Sequence, residues 1–330
     1  MKLYRLENNG VKVDISPIGA SIINFFVRDK DNVERNIVLG YDTEDRYKNN
    51  STYFGAVVGP IANRVDLGEF TLRGTIHKLT QNDGTNHLHG GDANLNSRNW
   101  SILDYTEKTI LLRARTEKGE GGYPSGTQTT VMYHLDDKGS LKISYVSTPD
   151  TVCPLNITQH TYFNLDGAGD VLDHEMWIDS DMFLPVDESL IPNGVTYVED
   201  SPFDFRAPRK ISEALSSHVD HRQLLVANGG YDHCYVLNHR DLTIESMRVR
   251  SEKTGITLSV KTDLPGVQFY SGNFLDNEQG RGDEVYNKHA GLCLETQFFP
   301  NLINSEHKEQ CIFTLTHSFI STTIYSVSID

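Results

Sequence analysis

Basic residues are scarce beside acidic ones: 30 lysines and arginines stand against 45 aspartates and glutamates, a formal net charge of -15. A surface of that sign repels phosphate backbones and anionic lipid, which sets nucleic acid and membranes aside as partners. No apolar run is long enough to span a bilayer, and residues 1–8 hold no apolar signal-peptide core, so the chain reads as soluble and cytoplasmic. Cysteine is sparse too. Cys153, Cys234, Cys293 and Cys311 lie far apart with no Cys-x-x-Cys pair, which argues against a zinc knuckle or dithiol redox motif and leaves buried thiols. Long amphipathic helices are missing, and with them the crossovers a parallel sheet needs. Ser/Gly/Pro linkers, low-complexity tracts and repeats are also missing. With no boundary at which to divide it, the chain reads as a single domain over residues 1–330.

What is present is a succession of short strands separated by turns. Residues 127–135 are rich in Thr, Val and Tyr, Asp136-Asp137-Lys138-Gly139 makes a turn, and residues 141–147 alternate again, which spells a hairpin. Comparable strands are expected at 110–115, 257–262 and 311–315. Two short polar helical stretches, at 212–215 and near 221–226, read as decoration on loops. The fold class that follows is mainly β: a large antiparallel β-sandwich with few short helices.

Several strands carry chemistry on one face. Read as one strand, residues 156–165 turn Ile157, Phe163 and Leu165 one way and Asn156, Thr158, His160, Tyr162 and Asn164 the other. A solvated face usually carries Lys and Glu, and this one has neither. In residues 291–297, Leu292 and Leu294 share one face while Glu295 lies opposite, flanked by Cys293 and Gln297. A carboxylate in such surroundings is either desolvated and used or exposed at a strand end. Gln268 and Asp232 are single polar residues in apolar strands, where satisfying a buried backbone group is the ordinary role. His87 and His89 share a face if that segment is extended; with Glu295 or Asp232 they suggest a metal, although no complete ligand set appears. The alternative is one imidazole hydrogen-bonded to a ligand, with Gly90 and Gly91 letting the backbone come close. Arg64, beside Asn63, is either a surface cation or a planar fork for ligand oxygens.

Taken together, these segments resemble the aldose 1-epimerases, or galactose mutarotases. Ala62-Asn63-Arg64, Leu88-His89-Gly90-Gly91, the 158–165 segment around His160-Thr161-Tyr162-Phe163-Asn164-Leu165, Asp232-His233, Gln268 within its strand and Leu294-Glu295-Thr296-Gln297 occur in the family's order over more than two hundred residues. The resemblance implies a galactose mutarotase-like sandwich with a cleft across one sheet, and interconversion of the α and β anomers of free hexoses without metal or other cofactor. It implies His160 as general acid and Glu295 as general base, with Asn63, Arg64, His89, Tyr162, Asp232 and Gln268 holding the sugar. One group takes the C1 hydroxyl proton as the other protonates the ring oxygen; rotation about C1–C2 and reclosure follow, with a bell-shaped pH dependence expected. Burial should raise the Glu295 pKa, and a carboxylate such as Asp232 should support a charged His160. Gln159, Pro60, Cys234-Tyr235 and Asn301-Leu302 depart from the family's usual residues without removing an acid or a base. The competing readings are a non-catalytic sugar sensor on the same scaffold, a mutarotase for a disaccharide, sulfosugar or sugar phosphate, and a metal-dependent enzyme using His87, His89 and Glu295.

Overall fold

The computed structural model describes residues 1–330. The hairpin expected near residue 137 forms, with Thr127–Leu135 paired antiparallel to Leu141–Pro149. Its turn is closed by Asp136, whose Oδ1 accepts the amides of Lys138 at 2.8 Å and Ser140 at 2.9 Å, while Gly139 supplies a φ of 80°. Alternate residues of Thr127–Leu135 are buried, as a strand with one core face requires.

This hairpin lies within a nine-stranded antiparallel sheet that also takes in Thr109–Thr116, Ile256–Thr262 and the C-terminal Phe319–Ile329. A second, six-stranded antiparallel sheet runs Tyr162–Phe163, Leu292–Gln297, Gly266–Tyr270, Asp232–Val236, Met182–Phe183 and Thr196–Tyr197. Leu292, Leu294, Val267, Phe269 and Tyr235 from the small sheet join Val131, Tyr133, Ile143, Leu258 and Tyr325 from the large one in a single hydrophobic core. Tyr325 packs edge-on against Phe163 at 5.2 Å. A four-stranded sheet, Tyr4–Asn8 to Glu34–Asn36, adds to the flank.

The three α-helices, Glu44–Lys48, Ile211–Ser216 and Arg222–Val226, are too short to contribute more than local cover, and none could cross a membrane. The two expected helical stretches form, the second capped by His221, whose side chain accepts the Gln223 amide. The strand expected at 311–315 is mostly absent: Cys311 ends a 3-10 turn, and only Ile312–Phe313 pairs, with Cys153–Pro154. All four cysteines are free and buried.

Residues 156–165 do not form one strand. Thr158–His160 pairs with Ala56–Val58, Tyr162–Phe163 pairs with Leu292–Gln297, and Thr161 belongs to neither. The change of partner is braced by Gln159, which points inward. Its amide donates to the Gly55 carbonyl and to Thr161 Oγ1, and its Oε1 accepts the Tyr133 hydroxyl at 3.0 Å. The polar face read from alternation is correspondingly divided. Asn156 closes a two-way hydrogen bond with the Phe298 backbone and Asn164 donates to the Ala290 carbonyl, so both serve the fold. His160 and Tyr162 alone of the five reach the cleft described next.

Candidate active site

Alternation gives the Leu292–Gln297 strand an inner face of leucines and an outer face of Cys293, Glu295 and Gln297. Register then assembles rows across the sheet. Tyr162, Cys293, Tyr270 and Asp232 stand side by side in one, and Glu295, Gln268 and Cys234 in the next. Extending the Tyr162–Cys293 register by two residues brings His160 opposite Glu295, where His160 Nε2 lies 3.6 Å from Glu295 Oε1. Both side chains are nearly water-free, at 5 % and 2 % exposure. They form the floor of a cleft of about 480 Å³, within the range of small-ligand sites.

The walls come from loops. Asn63 and His89 both adopt left-handed backbone, with φ of 63° and 50°, and lock each other. The Asn63 amide donates to His89 Nδ1 at 3.1 Å, and the His89 amide donates to the Asn63 carbonyl at 3.2 Å. Gly90 follows with φ of 91°, and a Cβ there would stand 2.1 Å from the Gly59 carbonyl oxygen, so only glycine fits. Arg64 reaches over the floor as a fork: Nε donates to Asp83 at 2.7 Å and Nη1 lies 3.5 Å from Asp232. Asp232 in turn accepts Gln268 Nε2 at 2.7 Å. Tyr53, also left-handed at φ 60°, lays its ring 4.7 Å from His89 and 5.5 Å from His160.

Electrostatics divide the acid and base candidates. Desolvation, then the nearby Asp232 charge, push the Glu295 carboxyl well above its usual range, while Arg64 pulls the other way. Desolvation lowers His160 to about 4. The expected support of His160 by Asp232 is not what the structure shows, since Asp232 is engaged by Arg64 and Gln268; the carboxylate beside His160 is Glu295 itself. Burial opposes the Arg64 charge, but Asp232 and Asp83 outweigh it and the guanidinium stays protonated. His89, desolvated and facing His160 and Arg64, is held neutral.

Seven of the eight residues implied by the resemblance line this one cleft: Asn63, Arg64, His89, His160, Tyr162, Asp232 and Glu295. Gln268 does not line it and acts through Asp232. His87 is excluded. The extended segment ends at Leu88, and the His87 ring turns away to the Tyr123 hydroxyl at 2.8 Å and the Thr80 carbonyl at 2.7 Å. A different trio, His89, His160 and Glu295, places one donor atom each within 4.8 Å of the others. The trio does not suit a metal ion: His89 Nδ1 already accepts the Asn63 amide, so a neutral ring carries its proton on Nε2 and presents N–H instead of a lone pair.

Residues not expected at the site include Tyr53, Asp83, Glu188, Leu190, Tyr270 and Phe274. Period-two alternation from Gln268 places Tyr270 on the site face, so its signal was present in the sequence. Asp83 and Tyr53 sit in irregular backbone that carries no period.

The sequence profile of the aldose 1-epimerase family matches residues 2–326. The chain is 37% identical to a galactose mutarotase of Bos taurus, over 99% of this chain and 94% of that protein. It is 34% identical to an aldose 1-epimerase of Escherichia coli (strain K12), over 98% and 94%. Among solved structures it resembles an aldose epimerase homologue from C. elegans, with TM-score 0.92 and 28% identity over 99% of each chain. It also resembles a galactose 1-epimerase from Lactobacillus acidophilus, with TM-score 0.86 and 28% identity over 98% of this chain and 93% of that one.

Proposed function

The chain belongs to the aldose 1-epimerase family, and from that premise we propose that it interconverts the α and β anomers of free hexoses, galactose and glucose foremost, as one catalytic domain that needs no cofactor. The observation that carries this reading is the buried His160–Glu295 pair at 3.6 Å on the floor of a polar cleft. Mutarotation requires one proton to leave the C1 hydroxyl and one to reach the ring oxygen. Glu295 takes the first and His160 Nε2 supplies the second; the C1–O5 bond breaks and the C1 carbonyl forms. After rotation about C1–C2, closure returns both protons, and nothing is consumed.

Proton counting supports the assignment. An imidazolium with a carboxylate, and a neutral imidazole with a carboxylic acid, hold the same number of protons. The first arrangement opens the ring and the second is left when the ring is open. Burial favours neutral forms of both groups, so the ring-opened state is one that the dry floor accommodates, while Arg64 offsets part of the cost of the charged one. The remaining groups suit a neutral polyol. His89 presents an N–H, Asp232 an acceptor and Arg64 a planar donor, with Tyr162 and Tyr270 beside the acid and base. A protein that only senses sugar has no use for an acid and a base buried together.

Polarimetry of freshly dissolved α-D-galactose tests the reading. The chelator-treated protein should speed the approach to an unchanged final rotation, and Glu295→Gln should lose about a hundredfold or more of that rate. Saturable galactose binding with no acceleration would make the protein a sensor or an epimerase of another sugar.

A further inference from the structure

The His160 ring has a second nitrogen that the reaction does not touch. If Nε2 alone loses and regains a proton, Nδ1 must keep its hydrogen throughout, and that hydrogen needs an acceptor in a water-free site. The side chain in reach is Cys293, whose Sγ lies 3.6 Å from Nδ1. Cys293 is fully buried, and its strand places it one step from Glu295 on the same face. The row register explains the meeting: the strand that carries the base also carries, two residues earlier, the partner of the acid.

Resting on the mutarotase reading, we infer that Cys293 is a positioning residue whose sulfur accepts the His160 Nδ1–H and fixes the ring in the tautomer that leaves Nε2 free to exchange its proton. A thiol suits the role for a physical reason. Burial and the neighbouring Glu295 and Asp232 charges keep it protonated and neutral, so it orients the ring without adding a charge. A carboxylate in that position would stabilise the imidazolium and make His160 a weaker acid. The other groups facing the ring are Glu295 across the row, His89 and Tyr53 from the loops, and Tyr162 and Tyr270 from the sheet. No other side chain hydrogen-bonds Nδ1; the ring also bonds its own backbone, which eases its protonation slightly, and Arg64 and Asp232 act on the ring only through Glu295.

The test separates orientation from packing. Cys293→Ala should lower kcat about three- to tenfold, the rate equivalent of one neutral hydrogen bond. Its KM for galactose should stay unchanged, and the acid limb of kcat/KM should move to lower pH. Cys293→Ser, which restores an acceptor, should recover most of kcat and return the limb. An alanine variant with the wild-type rate and profile, or a serine variant no better than alanine, overturns the inference. Nitrogen-15 NMR of the histidine rings in the wild-type protein gives a readout that needs neither substrate nor variant. His160 protonated on Nδ1 supports the role, and His160 protonated on Nε2 alone overturns it, whichever sugar the enzyme turns over.

Discussion

In the mechanism we propose, His160 and Glu295 draw their reactivity from being dry, and burial moves them in opposite directions. The working pair holds one proton. Below about pH 4, His160 takes up a second, both groups are protonated, and no base remains for the C1 hydroxyl. Above the raised Glu295 pKa the pair loses its proton, and the ring oxygen has no donor. The kcat/KM profile should therefore be bell-shaped, its acid limb near the His160 value and its alkaline limb well above an ordinary carboxylate. In Glu295→Gln any residual activity should lose the alkaline limb, and His160→Asn should lose the acid limb together with most of the rate. Profiles unchanged in both variants would remove the pair from the chemistry. At this scale composition marked the face of His160 and Tyr162 as unlike a solvated strand and left Glu295 balanced between use and exposure; the roles of the candidate residues came from the resemblance to the family. The pairing of Gln268 with Asp232 was not, since a buried amide satisfying a carboxylate looks the same in sequence as one satisfying a backbone group.

At the scale of elements, the position of His160 depends on how the Thr158–His160 strand is held, and Gln159 is the brace. Its side chain links the Gly55 carbonyl to the Tyr133 hydroxyl of the large sheet, so it joins the site strand to the core. Gln159→Ala should cost about 2 to 3 kcal/mol in urea unfolding, from lost hydrogen bonds and a small cavity. It should also lower kcat, because the acid is no longer held in register with the base. A variant of unchanged stability would mean that the brace is dispensable. The hairpin near residue 137 and the helix at 222–226 were readable because turn and cap chemistry is local. The break at Thr161 was not, because it depends on two partners, Ala56–Val58 and Leu292–Gln297, drawn from opposite ends of the chain. His87 misled for a related reason: a left-handed His89 ends the extended segment that would have put the two rings together.

For the molecule as a whole, the charge of the surface continues into the cleft. Asp83, Glu188 and Asp232 line it, and Arg64 is the single lysine or arginine there, already engaged by Asp83 and Asp232. Arg206 pairs with Asp204 and Lys210 with Glu252, and neither cation lines the cleft. A phosphate carries about -1.5 to -2 charge at neutral pH and would meet repulsion on entry without a free cation to receive it. Glucose 6-phosphate should therefore neither turn over nor compete with galactose at millimolar concentration. Competitive inhibition by it would show that the cleft electrostatics described here are wrong. Fold class was legible at this scale from the recurring short strands together with the missing long helices, which leave little choice beyond antiparallel sheets. The cleft's outline was not, because its walls come from loops whose meeting no periodicity records.

The floor of the cleft is sheet and its walls are loops, and this division has an evolutionary meaning. The distance between acid and base follows from the spacing of neighbouring strands, which sequence drift scarcely alters. Tyr53, Asp83 and Leu190, which we propose meet the sugar's outer hydroxyls, line the cleft from loops, where backbone tolerates changes of length. Lineages that inherit such a scaffold can exchange one sugar for another while the reaction itself is passed down intact.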